Sequence, residues 1–259
     1  MKTGLDRQNK FFKEQYWYAK TFLKNYLPNV NYGKTKILAI GSAEGGCLNY
    51  FNELDAKCYG IEISKGRNEY AKNRSGGNIK FLLGDICDSS FVDKMPKMDI
   101  IILRDVIEHI DQKLVAMKNI YSILKRNGII FVSYPPKYSP YAGHQQNVKN
   151  KYGRLPFIHL LPPFLYSKIL NLFGEKEIRI KGHLSTKNLM ISIRKIEKIF
   201  NKTGFTIYKK DFYFIRPCFE KRFGLKPRKT ILNNCPIFRE VFTLGAIYLL
   251  KKNYLSFKQ

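Results

Sequence analysis

Apolar and polar positions alternate along this chain at two periods, and the period switches repeatedly. Over residues 11–27, Phe12, Tyr16, Ala19 and Phe22 or Leu23 recur at helical spacing with charges between them, which predicts an amphipathic helix. Pro28, Asn31 and Gly33 then mark a turn. Beyond it, short apolar runs predict strands over 36–40, 57–61, 79–83, 98–103 and 129–133. Helical spacing predicts helices over 45–54, 65–73 and 106–126. The last has Val106, Ile110, Leu114, Met117, Tyr121 and Leu124 in step, with Asn127-Gly128 as its stop. Strand alternating with helix implies an α/β architecture: a parallel sheet covered on both faces, binding ligands at the carboxyl ends of its strands.

Residues 137–183 break the rhythm with an aromatic and apolar cluster over 155–173 interrupted by prolines. A helix capped by Ser185 or Thr186 is expected to run to Lys202, with Gly204 as its stop. A sixth strand follows from Phe205 to Tyr208, extending toward Tyr213, and a seventh over 242–250. The expected organisation is one domain over 1–259. Within it lie a helical extension (1–32), a ligand-binding core (33–136), a lid or substrate-binding insertion (137–183) and a last helix with the final strands (184–259).

Composition narrows the class. Apolar residues make up 44% of 259 positions, a globular proportion that excludes disorder and a collagen-like fibre. No apolar run reaches the roughly 18 residues of a spanning helix, and residues 1–10 are too polar for a secretion signal. Cys47, Cys58, Cys87, Cys218 and Cys235 are scattered without a CxxC pair, so neither a disulfide framework nor a zinc site is indicated. These features point to a cytoplasmic location. The formal charge is +26 and uneven: residues 1–136 hold 21 basic and 14 acidic side chains, a net of +7, and residues 137–259 hold 25 and 6, a net of +19. Such an excess suggests an acidic or phosphate-bearing partner, with uniform lysine enrichment as the plain compositional alternative.

The candidate chemistry lies at the predicted strand ends. Gly41-Ser42-Ala43-Glu44-Gly45-Gly46 joins a strand to a helix, where small residues let backbone N–H groups approach a ligand. Glu62 closes the second strand and can accept both hydrogen bonds of a ribose diol. Gly84-Asp85-Ile86 closes the third: Asp85 can accept from an adenine amino group, with Ile86 against the ring. Arg104-Asp105-Val106-Ile107-Glu108-His109 follows the fourth. Asp105 and Glu108 also read as a helix cap and its partner, and His109, four residues on, would share a helix face with Asp105.

These stretches resemble the class I S-adenosylmethionine-dependent methyltransferases, in particular the group of ubiquinone and menaquinone biosynthesis enzymes. The resemblance rests on Ile37 to Gly45, Tyr59 to Glu62, Phe81 to Asp85 and Asp105 to Ile110, and is firm over residues 35–136. It implies a Rossmann-like, doubly wound, seven-stranded, mostly parallel sheet. Its C-terminal hairpin would be antiparallel, with strand seven beside strand five. It further implies S-adenosyl-L-methionine as cofactor, with Gly41, Ser42, Ala43 and Gly45 around its methionine part, Glu62 on the ribose, Asp85 and Ile86 at the adenine, and Leu103, Arg104 and Asp105 at the methyl-donor end. Two positions depart from the family. Ala39 stands where an acidic residue is usual, a loss that Glu44 could offset, and Ala43 replaces the second glycine.

The expected reaction is direct in-line displacement of a methyl group from a sulfonium onto a small-molecule, lipid-linked or glycan acceptor, acidic in character. His109, Asp105 and His144 are the candidate bases, His183 also flanks the insertion, and no metal is expected. An anionic substrate or an RNA backbone stays open as a partner through the late basic run Arg216, Lys221, Arg222, Lys226, Arg228 and Lys229, interleaved with Phe212, Tyr213, Phe214 and Phe219, with a solvated face as the plain alternative. Peripheral membrane contact stays open through 155–173. Rival readings are an NAD-dependent reductase, served by Gly41, Ala43, Gly46 and Glu62, and a non-catalytic cofactor-binding module.

Overall fold

The structure, a computed structural model, describes residues 4–143, 145, 148, 150–231 and 235–252. Eight strands form one sheet: β1 (Lys36–Ile40), β2 (Lys57–Glu62), β3 (Lys80–Leu83), β4 (Met98–Arg104), β5 (Leu124–Tyr134), β6 (Phe205–Ile215), β7 (Arg228–Lys229) and β8 (Gly245–Lys252), in the order β3-β2-β1-β4-β5-β8-β6-β7. The first five are mutually parallel. β8 lies antiparallel between β5 and β6. The seven expected strands are therefore joined by an eighth, the two-residue β7, which pairs antiparallel with β6.

The central strands are buried on both faces, which is why they read as unbroken apolar runs. Leu38, Ile40, Ile101, Leu103, Ile130, Val132 and Tyr134 face one core; Ile37, Ala39, Ile100, Ile102, Ile129 and Phe131 face the other. Among the described residues the main helices are α1 (Gly4–Tyr18), α2 (Gly46–Asn52), α3 (Lys65–Arg74), α4 (Ser89–Val92), α5 (Lys113–Ile123), α6 (Pro163–Leu172), α7 (Glu177–Leu189), α8 (Ile193–Lys202), α9 (Cys218–Phe223) and α10 (Pro236–Phe242). α1 continues through a π-helical turn, Ala19–Leu23, and one last α-turn, Lys24–Tyr26.

Two predicted helices change shape. The stretch 106–126 divides into a 3-10 turn (Ile107–His109), α5, and the start of β5. Asn127-Gly128 does not stop a helix but falls in an irregularity of the β4–β5 pairing between Met98 and Ile100. The capping-box reading of Asp105 and Glu108 fails with it, because Asp105 lies eight residues before α5 begins. The helix expected to end at Lys202 is two helices. Ser192 is the residue that caps the second, its hydroxyl accepting from the Lys195 N–H, while the Glu240 carboxylate accepts from the N–H groups of Ile193 and Arg194. An anion there also complements the helix dipole. Gly204, at φ +80°, follows the end of α8 as expected.

Residues beyond β5 build a third, smaller core of Val148, Ile158, Tyr166, Leu170 and Ile180. Its helix α7 is tied to the β4 side of the sheet by Lys113, whose ammonium donates to the carbonyls of Ile110 and Leu189 at 2.5 and 2.6 Å.

Candidate functional site

The order of strands reverses direction at β1, which has β2 on one side and β4 on the other. Such a switch point opens a crevice beyond the strand ends. Ile40, the last residue of β1, pairs with Ile61 of β2 and Leu103 of β4. The residues one step further on, Gly41, Glu62 and Arg104, therefore share one edge of the sheet.

The β1–α2 loop turns sharply into that edge. Gly41 has φ +63°, and a Cβ on it would lie 2.5 Å from Val106 Cγ2. Gly45 has φ +81°, and a Cβ there would meet the Phe81 ring at 2.7 Å. Ala43 takes φ +49° despite its side chain. A left-handed conformation at a residue with a Cβ costs about 1 kcal/mol. The Ser42 hydroxyl is buried without a hydrogen-bond partner. Glu62 is 5% exposed; one of its carboxylate oxygens accepts from the Ala43 N–H and the other from the Ser64 N–H, both at 2.8 Å. Each oxygen keeps a lone pair for a further donor.

Asp85 stands exposed after β3, one oxygen accepting from the Cys87 N–H. Ile86 and Leu103 have buried side chains in the core, so what they present to the crevice is backbone. Ala39 is packed in the core between β2 and β4. Glu44 is also buried and turns to α1, accepting from Gln15 Nε2 at 2.7 Å. Gln15 Oε1 in turn accepts from the Gly46 N–H, which fastens α1 over the loop.

The residues after β4 are densely charged. Arg104 donates to Glu14 at 2.9 Å and lies 4.0 Å over the Tyr18 ring. Asp105 adopts φ +55°, its N–H donates to the Ser133 carbonyl, and its carboxylate pairs with Arg216. Burial opposes the charge of Asp105, but Arg216, Arg104 and Arg222 outweigh it and hold its carboxyl below the usual range. Glu108 is fully buried, and neither of its oxygens has a hydrogen-bond partner on another residue. Burial first, then the charge of Asp105, pushes its carboxyl well above the usual range. His109 does not share a helix face with Asp105. It lies on the 3-10 turn with its side chain partly exposed and Nε2 3.9 Å from Glu108 Oε1. Burial keeps its imidazole below the ordinary histidine value. His183 is buried, its ring nitrogen Nδ1 3.3 Å from the Gly143 carbonyl oxygen. His144 lies outside the described residues. Among the described residues no three His, Cys, Asp or Glu side chains stand together as a metal site.

Glu14 and Tyr18 at this edge are not predictable from local pattern, and Arg216 and Arg222 are expected only as part of the late basic run, not beside the strand tips. Glu14 and Arg222 meet across 208 positions, and only the polar residue breaking the apolar face of α1 hints at it.

Comparison with known proteins places this geometry. Residues 38–132 match the sequence model of a family described as a methyltransferase domain. No curated protein matches the chain by sequence. Among solved structures, the chain is similar to a SAM-dependent methyltransferase of Thermotoga maritima, at TM-score 0.57 and 16% identity over 96% of each chain. It is similar also to the magnesium protoporphyrin IX methyltransferase of Synechocystis, solved with bound SAH, at 0.53 and 15% over 98% of this chain and 89% of that one. A putative methyltransferase of Haloferax volcanii, solved in complex with the activator Trm112, aligns at 0.57 and 13% over 96% of each. Residues 38–132 are thus similar to a methyltransferase domain, and the chain shares the fold of the SAM-dependent methyltransferases with which it aligns.

Proposed function

We propose that the chain transfers the methyl group of S-adenosyl-L-methionine to an acidic small-molecule, lipid-linked or glycan acceptor by direct in-line displacement. The observation that carries this reading is the shared edge of Gly41, Glu62 and Arg104 beyond β1, β2 and β4, with Glu62 already oriented by two backbone N–H groups. The loop from Gly41 to Gly45 offers backbone to the methionine part of the cofactor. Glu62 keeps an accepting lone pair on each oxygen for the ribose hydroxyls, and Asp85 stands at the mouth for an adenine amino group.

When bound, the cofactor supplies a sulfonium, which makes its methyl carbon electrophilic without further activation. The chain's own work is to position the acceptor and exclude water. α1, fastened by Gln15, covers the loop from one side. If the acceptor is a hydroxyl, His109 suits the role of base best among the described candidates, because its side chain is partly exposed just after β4. Asp105 is committed to Arg216 and is a weak base.

The late basic run favours a small or lipid-linked acceptor over RNA. Arg216 and Arg222 are engaged by Asp105 and Glu14, and Lys229 by Asp211 at 2.7 Å. Of Phe212, Tyr213, Phe214 and Phe219, the first two are buried and only Phe214 is half exposed, a poor platform for stacking successive bases. A lipid-linked acceptor is supported by the outer face of α6, where Phe164 and Leu172 are 67% and 79% exposed. No helix among the described residues is long and apolar enough to cross a membrane, and the five free cysteines suit a reducing compartment. Contact with lipid would accordingly be peripheral, from the cytoplasmic side.

Calorimetric titration with S-adenosylhomocysteine and with NAD tests the reading. Saturable binding of the former alone is expected. Glu62→Ala should weaken it by a hundredfold or more, because two charge-assisted hydrogen bonds at roughly 1.5–3 kcal/mol each are lost. Binding of NAD alone would sink the proposal.

A further inference from the structure

Three guanidiniums converge on two carboxylates at the edge of the sheet beside the glycine loop. Glu14 is shared. Arg104 donates to it at 2.9 Å, and Arg222 grips it through Nε and Nη2 at 2.9 and 2.7 Å. Asp105 serves Arg216. Among these five groups the guanidiniums outnumber the carboxylates by one, and Glu108, the further buried carboxyl beside Asp105, makes no hydrogen bond to any of them. Arg104 and Arg216 have side chains only 13% exposed, so water neutralises little of that excess. A buried charge without its counter-charge is costly, and an arriving anion would complete the set.

The geometry also shows where an anion's oxygen would go. Arg104 pairs in register with Ser133 of β5. The Ser133 hydroxyl is buried and has no hydrogen-bond partner. It lines a crevice of about 10 Å³ together with Tyr18, Arg216, Cys218 and Gly245, room for about one oxygen-sized group. The Arg216 stem lies flat on Gly245, where any Cβ would sit 2.8 Å from its Cγ, so its fork is held in place. Arg222, 34% exposed, forms the open side.

We infer that this cluster is the acceptor's anion site: a carboxylate or phosphate of the substrate docks on Arg216, with Arg222 at the entrance and one oxygen received by the Ser133 hydroxyl. The inference rests on the methyltransferase reading and narrows its substrate. β4 adjoins β1 and β5 follows it, so the site lies about two strand spacings, roughly 10 Å, from the glycine loop. The acidic group is then separated from the methylated atom by no more than about one sugar or aromatic ring. Arg104, Arg216 and Ser133 are positioning residues here, and the pairing of Arg216 with Asp105 fixes the guanidinium before the substrate arrives.

The test uses the full chain saturated with S-adenosylhomocysteine, at physiological salt so that diffuse charge is screened. Phenyl phosphate and benzoate are titrated calorimetrically as probes, the two arms separating phosphate from carboxylate. At least one should bind saturably at one site. Arg216→Gln should weaken it tenfold or more while leaving S-adenosylhomocysteine affinity within twofold, and Lys97→Gln on the opposite edge should change neither. If Arg216→Gln does not fold, Arg222→Gln decides, with a loss of about threefold or more expected. Binding of neither probe, or binding indifferent to these substitutions, overturns the inference. So does a parallel loss of S-adenosylhomocysteine affinity, which would give the guanidinium to the cofactor's own carboxylate. Failure of the unaltered chain to bind S-adenosylhomocysteine at all is a different result and overturns the methyltransferase reading beneath it.

Discussion

Glu108 is the residue whose chemistry is least like its place in a polar-looking segment. Its carboxyl is fully enclosed, has no hydrogen-bond partner on another residue, and shares its surroundings with the ionised Asp105. Its folded-state pKa is therefore raised above the unfolded value, and the sign of the linkage follows. The folded chain holds a proton that the unfolded chain releases above about pH 4.5, so the contribution of Glu108 to stability is full below that pH. It is lost as pH rises through the folded value. Glu108→Gln imitates the neutral acid and should remove this alkaline decline. Urea unfolding of both proteins between about pH 5 and 9 checks it: the unaltered chain should lose stability toward the alkaline end relative to the variant. Parallel curves would mean that Glu108 is ionised in the folded state and has found a counter-charge. The strained turn at Asp105 and the hidden acid beside it are the kind of local cost that binding sites carry.

Helices α1 and α9 are joined through Glu14, and this is where the elements depend on one another most. Burial works against the Glu14 charge, but Arg222 and Arg104 together hold its carboxyl below the usual range. That pairing stabilises the fold above about pH 4.5 and is lost as pH falls through the depressed folded value. Glu14→Ala would leave Arg104 buried without its carboxylate and should cost about 3 kcal/mol, the low end for a broken buried pair because Arg222 can turn toward water. Denaturant unfolding at neutral pH measures it, and the gap should narrow in acid; a loss under about 1 kcal/mol would show that the cluster reorganises freely. This pairing is not legible in the sequence, where α1 shows only an apolar stripe and Arg222 lies 208 positions from Glu14. The parallel strands were legible because both their faces are buried, and the residues at their tips follow from the strands. The helix over 106–126 failed for a physical reason. Its apolar spacing is real, but Glu108 turns inward on a 3-10 turn, and Leu124 begins a strand whose irregular pairing absorbs the Asn-Gly signal. The eighth strand is two lysine- and arginine-bearing residues with no apolar pattern at all.

Across the whole molecule the excess charge and the unpartnered apolar surface belong to the same half. Residues 137–259 carry 25 basic side chains against 6 acidic, and the same half presents α6 with both of its faces apolar. Tyr166 and Leu170 hold the inner face to Ile158 and Ile180. On the outer face Phe164, Lys168 and Leu172 follow one another at four-residue steps, with Leu165 beside them and Leu155 half exposed nearby in sequence. An apolar face carrying its own lysine suits the boundary between headgroups and acyl chains of an anionic membrane, where charge attracts and buried area retains. Co-sedimentation with vesicles containing phosphatidylserine should therefore exceed that with phosphatidylcholine alone and fall as salt is raised. Phe164→Ser combined with Leu172→Ser should lower it at least tenfold, since burying either side chain is worth about 2 kcal/mol. The inner face is untouched by these changes, so unfolding by heat should be little altered. Equal partition of variant and unaltered chain would remove lipid from the account of α6. An acceptor dissolved in water would then be the better partner for the arginines at the strand tips.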